Sequence, residues 1–552
     1  RDFCIAPGSR NTPLVAAVAE HPEAVAHVHY DERGTSFFAL GLGRATGRPA
    51  AWITTSGTAV ANGLPAVVEA EQDHVPLLLL TADRPPELLD AGANQAIDQN
   101  KIFGTYPRWY AALPTEHPDA DPAYVLTTAA QAVFRATSTP AGPVHLNCHF
   151  REPLQPEAQP DRRLPAYLNA WRTSGRPYTH YSAGHLDPML PGELVDAISG
   201  AERGLLIAGR LEPEEAAGVR QLQAHLGWPL LPDLTSQLRL GPAGTGTITH
   251  YDLLLNDRDW ADDHRPDVIL HIGGKYVSKR LLQFTARCAE AGTRLVVANP
   301  TPFRLDPHHR VSDRVQADVV PFCTRLIEQT SVYSNTSWTE AWTRAQLRVE
   351  HIVAEELPAD VLSEPLVAQL VTQLAPAETG LFAAASMPVR DLDAFGARNG
   401  PGLRVAANRG ASGIDGTLSC AAGFAAGLER PTTLLTGDLS FLHDLNGVLL
   451  ARRHPLVTVL INNDGGGIFH FLPIHRYEHF EPFFGTPHGI EHVEHIARQA
   501  ELPYNRPRTP DAFRTVYTEA MESGRPALIE IRTDRTENVA LHRRIAEAIR
   551  IA

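Results

Sequence analysis

Cysteine is scarce in this chain. Five residues, Cys4, Cys148, Cys288, Cys323 and Cys420, are scattered over 552 positions with no CxxC pair. That argues against a disulfide framework or a zinc site and for a reducing compartment, so a cytoplasmic location is expected. Long apolar runs are also missing. No stretch approaches the ~18 consecutive apolar residues of a membrane span, and no secretory signal pattern is present. Positive charge is in deficit, with 49 Lys and Arg against 63 Asp and Glu and a net charge of −14. A general nucleic-acid or membrane surface is therefore disfavoured, and any anionic ligand must be held by locally placed cations. The 25 histidines form no HExxH or other clustered metal spacing, which disfavours a zinc centre or a His nucleophile.

What is present is a threefold alternation of strands and helices. At roughly 100–200 residues per domain the length suggests three domains. The 43% hydrophobic and 20% charged content fits a globular protein with large cores. Residues 1–165 carry the strand-like runs DFCIA, AVAHVHY, AAWITT, VPLLLLTA and GPVHLNC, with helical stretches between them such as Pro13 to Glu20 and Gly34 to Thr46. Continuous apolar strands separated by helices predict a doubly wound parallel sheet. Residues 155–180 are rich in Pro, Gln and Arg and read as a linker. A second α/β region, 180–345, has strands GLLIAG, PDVILHIGG and TRLVVANP but no GxGxxG fingerprint, so its glycines read as strand-end turns. After a polar helical connector near 334–358, a third region, 358–552, has strands GLFAAAS, LRVAAN, TTLLTGD, VTVLINN and PALIEIRT. It repeats the order and length of the first, which suggests an ancient duplication. The chain begins at Arg1 directly in a strand-like run, so a preceding N-terminal segment is expected.

The most informative stretch is Gly437 to Phe469. One apolar strand ends in Gly437-Asp438; residues of helical period follow (Phe441, Leu445, Val448, Leu449); a second strand ends in Asn462-Asn463 and a glycine run. Parallel strands that flank one helix finish at the same sheet edge, so Asp438 and Asn463, 25 residues apart, should meet. A carboxylate, an amide oxygen and a glycine-loop carbonyl make a hard-oxygen set suited to Mg2+. The helix start and Gly465, Gly466 and Gly467 should let backbone N–H groups approach a diphosphate. Taken in isolation, the same dipeptides also suit ordinary turns.

Read together, PGSR (7–10), HYDERG (29–34), TSGTAVAN (55–62), TADRPPEL (81–88), ANQAIDQ (93–99), SKRLLQ (278–283), SMPVRDLD (386–393), NRGASGIDG (408–416), GDLSFLHDLNG (437–447) and NNDGGGIF (462–469) resemble, in order, the 2-succinyl-5-enolpyruvyl-6-hydroxy-3-cyclohexene-1-carboxylate synthases. These are the thiamine-diphosphate enzymes of menaquinone biosynthesis. Leu439 replaces the glycine of the wider superfamily motif, a departure this family shares. The resemblance implies an α/β fold of three doubly wound parallel-sheet domains: pyrimidine-binding, central and diphosphate-binding. It implies thiamine diphosphate with Mg2+ (or Mn2+) held by Asp438, Asn463 and the Gly465 carbonyl. Leu439, Ser440, Ile414, Ile468 and Phe469 would contact the cofactor, with Ile414 supporting its bent form.

Glu32 would be the catalytic carboxyl, hydrogen-bonded to the aminopyrimidine so that the ring can take the proton from the thiazolium carbon; the cofactor is then the electron sink. On local grounds alone Glu32 reads by default as a helix N-terminal acid. The implied reaction decarboxylates 2-oxoglutarate and adds the succinyl-semialdehyde carbanion to isochorismate. Both substrates are dianions, so Arg is favoured for bidentate binding. By resemblance Ser386, Arg390 and Arg409 face 2-oxoglutarate; Ser9, Arg10, Arg84, Gln95 and Lys279 face isochorismate. Ordinary ion pairing remains open for each cation taken singly. The family also implies a homodimer or dimer of dimers with active sites at the subunit interface. Another thiamine-diphosphate decarboxylase or carboligase, or a non-catalytic cofactor-binding protein, stays open at this point.

Overall fold

The computed structural model describes residues 1–115, 121–155, 165–182, 184, 186, 188–331 and 335–551. Residues 156–164 of the expected linker lie outside them. The chain packs as two compact units: one of 1–184, 408–430 and 442–456, the other of 185–407, 431–441 and 457–552.

The first unit contains β1 (Asp2–Ile5), β2 (Val25–Val28), β3 (Ala50–Thr54), β4 (Leu77–Asp83), β5 (Trp109–Leu113) and β6 (Pro143–His149). They form one sheet in the order β2-β1-β3-β4-β6-β5, with parallel registers throughout. Every residue of β3 and β6 is buried, because helices cover both faces of such a sheet; β3 is almost wholly apolar, whereas β6 buries His145, Asn147 and His149 among its apolar residues. The helix Glu32–Thr46 crosses the helix Thr417–Leu428 in backbone contact. A Cβ on Gly41 would stand 2.0 Å from the Cys420 carbonyl oxygen, and one on Gly423 2.0 Å from that of Phe38. Only glycine at both positions permits that approach.

The second unit holds two sheets. The strands β7 (Gly204–Ala208), β8 (Leu230–Pro232), β9 (Val268–Ile272), β10 (Arg294–Asn299) and β11 (Asp313–Gln316) order as β11-β10-β9-β7-β8. The strands β12 (Gly380–Ala383), β13 (Arg404–Ala407), β14 (Thr432–Gly437), β15 (Leu456–Asn462), β16 (Tyr504–Asn505) and β17 (Ala527–Arg532) order as β13-β12-β14-β15-β17-β16. Counted from its own first strand, this last order repeats that of the first sheet, as the duplication reading expects.

Four strands escape the sequence reading: β5, β8, β11 and β16. All four are sheet edges. An edge strand packs against one neighbour only and can be short or polar, as in DRVQ of β11 and the two residues of β16. The helical period expected after Asp438 is also interrupted. The chain makes a helix Asp438–His443, a 3-10 turn Leu445–Gly447 and a short helix Val448–Ala451. Leu445, expected on the apolar face, is 39% exposed. The break falls at Asp444, whose buried carboxylate accepts Ser419 N at 2.7 Å and Ser419 Oγ at 3.2 Å in the first turn of Thr417–Leu428.

Candidate active site

Because β14 and β15 are neighbours in one sheet, the residues that follow them meet. Asp438 Oδ2 accepts Asn463 N and Gly465 N, each at 3.0 Å, and His488 Nε2 stands 3.2 Å from the same oxygen. Asp438 Oδ1 accepts Leu439 N at 2.6 Å. The Asn463 side chain turns its Nδ2 to Glu364 Oε1 at 2.9 Å, which leaves the buried Oδ1 with no hydrogen-bond partner. An unsatisfied buried acceptor beside a buried carboxylate is the donor set a hard divalent cation requires, and these residues fit one. Ser440 is buried, while Leu439, Ile468 and Phe469 are half-buried. The Phe469 ring lies 5.8 Å from Phe484.

The glycine loop departs from expectation. Its N–H groups are engaged within the protein: Gly465 with Asp438, Gly466 with Gly485 O at 2.7 Å, and Gly467 with Gly465 O at 2.8 Å. The glycines instead allow backbone to meet backbone. A Cβ on Gly465, whose φ is +133°, would fall 2.1 Å from Gly485 O, and one on Gly466 2.3 Å from Phe484 O.

In the first unit Glu32 opens the helix Glu32–Thr46, yet the capping is done by its neighbour. Asp31 accepts Arg33 N and Gly34 N at 3.0 and 3.2 Å. Glu32 is half-buried and accepts a hydrogen bond at 3.2 Å from Nδ2 of Asn62, the residue that ends the short helix Thr58–Ala61. Capping of this helix therefore falls to Asp31 and not to Glu32.

The candidate cations differ in how they are engaged. Arg84 directs one guanidinium nitrogen to Ser56 Oγ and another to Asn94 O at 2.7 Å, while Gln95 Nε2 donates to Ser56 O at 2.8 Å. These contacts join Arg84, Gln95 and the TSG loop into one cluster. Burial, then the nearby Arg10, lowers the Arg84 pKa. Arg10 donates to Phe150 O at 3.0 Å and pairs with Glu152 at 3.2 Å. Ser9 is exposed in the same loop. Lys279 is exposed at the first position of the helix Lys279–Glu290. Arg390 donates to Ser386 O across one helical turn. Arg409 and Ile414 lie half-buried in the segment 408–416 of the first unit. That segment is clamped: Glu69 accepts Gly410 N at 2.8 Å, Ala411 N at 2.6 Å and Ser412 N at 3.3 Å.

Three family sequence models match the chain. They describe the thiamine pyrophosphate enzyme N-terminal TPP binding domain at residues 1–102, the middle domain of thiamine pyrophosphate enzymes at 163–383, and the C-terminal TPP binding domain at 397–531. A 2-succinyl-5-enolpyruvyl-6-hydroxy-3-cyclohexene-1-carboxylate synthase of Salinibacter ruber is 50% identical over 99% of this chain and 93% of its own. One of Rubrobacter xylanophilus is 52% identical over 98% and 94%. The chain belongs to the 2-succinyl-5-enolpyruvyl-6-hydroxy-3-cyclohexene-1-carboxylate synthase family. It is thus a thiamine-diphosphate-dependent transferase of menaquinone biosynthesis. The benzoylformate decarboxylase structure from Polynucleobacter necessarius, with TM-score 0.71 at 16% identity over 97% of this chain and 96% of that one, shares the fold.

Two residues beside the family motifs escaped the sequence reading. Glu364 supports Asn463, and burial followed by the charge of Asp391 pushes its pKa up to about 7. Glu69 holds the 410–412 backbone. The signal for Glu364 was faint: Ser363-Glu364-Pro365 begins a helix whose next residues, LVAQLV, are largely apolar. A helix buried from its first turn must bury the acid there too.

Proposed function

We propose that this enzyme decarboxylates 2-oxoglutarate and adds the retained four-carbon unit in a 1,4 sense to isochorismate, giving 2-succinyl-5-enolpyruvyl-6-hydroxy-3-cyclohexene-1-carboxylate and CO2. The observation that carries the reading is the pairing of Asp438 with an Asn463 whose buried Oδ1 lacks a partner. Asp438, Asn463 and the Gly465 carbonyl would hold Mg2+ or Mn2+, which anchors the diphosphate. Bound thiamine diphosphate supplies the electron sink for the pair released as CO2 departs. Glu32, relieved of capping by Asp31, would hydrogen-bond the aminopyrimidine through its carboxyl group. Ile414, Ile468, Phe469, Leu439 and Ser440 would line the cofactor and exclude water from it.

The two dianions need cationic partners. Arg84 spends its hydrogen bonds on neutral oxygens, so its charge remains for a carboxylate. With Ser9, Arg10, Gln95 and Lys279 it serves the isochorismate side; Ser386, Arg390 and Arg409 serve 2-oxoglutarate. The regions 1–165, 180–345 and 358–552 act as pyrimidine-binding, central and diphosphate-binding domains. The working form is a cytoplasmic homodimer or dimer of dimers with active sites at subunit interfaces. Among the described residues no helix is long and apolar enough to cross a membrane.

The test is the product mass from 2-oxoglutarate plus isochorismate with thiamine diphosphate and Mg2+. A single adduct that has lost CO2 supports the reading. Brisk turnover of pyruvate, with no acceleration of 2-oxoglutarate consumption by isochorismate, overturns it.

A further inference from the structure

An amide ligand must choose between two ends of nearly the same shape. Its oxygen binds a cation, whereas its NH2 repels one. At Asn463 the surroundings make that choice. The backbone N–H is held by Asp438 at 3.0 Å. The side-chain Nδ2 is held by Glu364 Oε1 at 2.9 Å, and the same oxygen accepts Thr533 Oγ1 at 2.9 Å. Glu364 is 4% exposed and is not the helix cap, because Ser363 Oγ accepts Leu366 N at 3.4 Å. Thr533 is itself fixed, its N–H donating to Asn462 O at 3.2 Å. Gly467 leaves room for the amide: a Cβ there would stand 2.9 Å from Asn463 Nδ2.

We propose that Glu364 is a positioning residue that locks the Asn463 amide with its oxygen toward the diphosphate-anchoring cation. The inference rests on Asp438 and Asn463 being the cation's ligands. With the amide flipped, two N–H bonds would point at the cation and two oxygen acceptors would face each other at Glu364. Both contacts are repulsive, so Glu364 sets the orientation through geometry alone.

The experiment titrates Mn2+ into the apo-protein with thiamine diphosphate present and follows loss of the free-ion paramagnetic resonance signal. Groups that support a metal ligand typically matter by 10- to 100-fold in affinity, so Glu364→Leu should weaken Mn2+ binding by roughly that factor. Glu364→Gln keeps an acceptor and should stay close to the native affinity. Asn463→Asp alone should bind poorly, because its carboxylate confronts Glu364. Adding Glu364→Gln to it should restore binding, since the new amide donates to the new carboxylate. Native affinity in Glu364→Leu, or a double variant no better than Asn463→Asp, overturns the proposal. If Glu364→Leu does not fold, the comparison of Asn463→Asp with the double variant decides alone. Asp438→Asn separates the two readings. If it keeps Mn2+ binding, the cation site itself is wrong. If it loses binding while the Glu364 variants behave as native, only the positioning role fails.

Discussion

Arg84 and Asn463 hold the same position in two sheets of identical strand order. Arg84 is the first residue after β4, the fourth strand of the first sheet, and Asn463 the first after β15, the fourth of the third. Each reaches the loop of the preceding strand in its own sheet: Arg84 contacts Ser56 Oγ, and Asn463 N donates to Asp438 Oδ2 at 3.0 Å. Adjacent parallel strands, about 4.8 Å apart, bring these loop residues within reach of each other. The repeated strand order thus brings neighbouring loops together twice, once with a cation and once with a carboxylate and an amide.

Arg84→Ala should raise the KM for isochorismate roughly 10- to 100-fold, the loss of one charged hydrogen-bonding group worth about 1.5–3 kcal/mol. Binding of 2-oxoglutarate should change little. Steady-state kinetics with each substrate varied in turn checks this; equal loss for both substrates contradicts the assignment.

Glu32→Gln should keep thiamine-diphosphate affinity but lose most exchange of the cofactor's C2 proton. Isothermal titration reads the first and NMR-detected deuterium exchange the second. Unchanged exchange removes Glu32 from the proton relay.

Glu69→Ala withdraws the acceptor from Gly410, Ala411 and Ser412. A hydrogen bond to a charged acceptor is worth roughly 1.5–3 kcal/mol; water can replace part of it at the exposed Ala411 and Ser412, so urea unfolding should show a loss of about 2–4 kcal/mol. Arg409 sits between the clamped Gly410 and Asn408, whose Oδ1 accepts Arg44 at 3.3 Å. The KM for 2-oxoglutarate should therefore rise as well. A variant that is destabilised but has an unaltered KM would confine Glu69 to stability.

Asp444 gives a pH signature. Burial raises its pKa to about 6, against the opposing effect of its Ser419 hydrogen bonds. The folded form therefore retains a proton that the unfolded chain has released. That contribution to stability is complete below the ordinary aspartate pKa, near 3.9, and is lost as pH rises through about 6. Asp444→Asn should flatten this part of the pH–stability curve. Urea unfolding of both proteins across that range tests it; parallel curves rule Asp444 out.

One contact of the candidate site was readable before the fold was known. The meeting of Asp438 with Asn463 followed from strand ends alone. The glycine loop was misread because sequence tells that backbone is close to something, not to what. At Gly465 and Gly466 the neighbours are the carbonyls of Gly485 and Phe484, which a reader of residues would replace with a phosphate. The broken helix after Asp438 was hidden likewise: Asp444 interrupts it to bind Ser419, 25 residues earlier.

Apolar runs, their spacing and the polar residues at their ends determined the three sheets, the central strands and the Asp438–Asn463 pair. These properties are local, and parallel pairing carries them to a shared edge. Tertiary structure alone decided which acid supports which loop. Glu364 finds Asn463 99 residues away and Thr533 169 residues away, and Glu69 finds Gly410 341 residues away. Such contacts depend on which surfaces are buried against each other, and no local pattern encodes that.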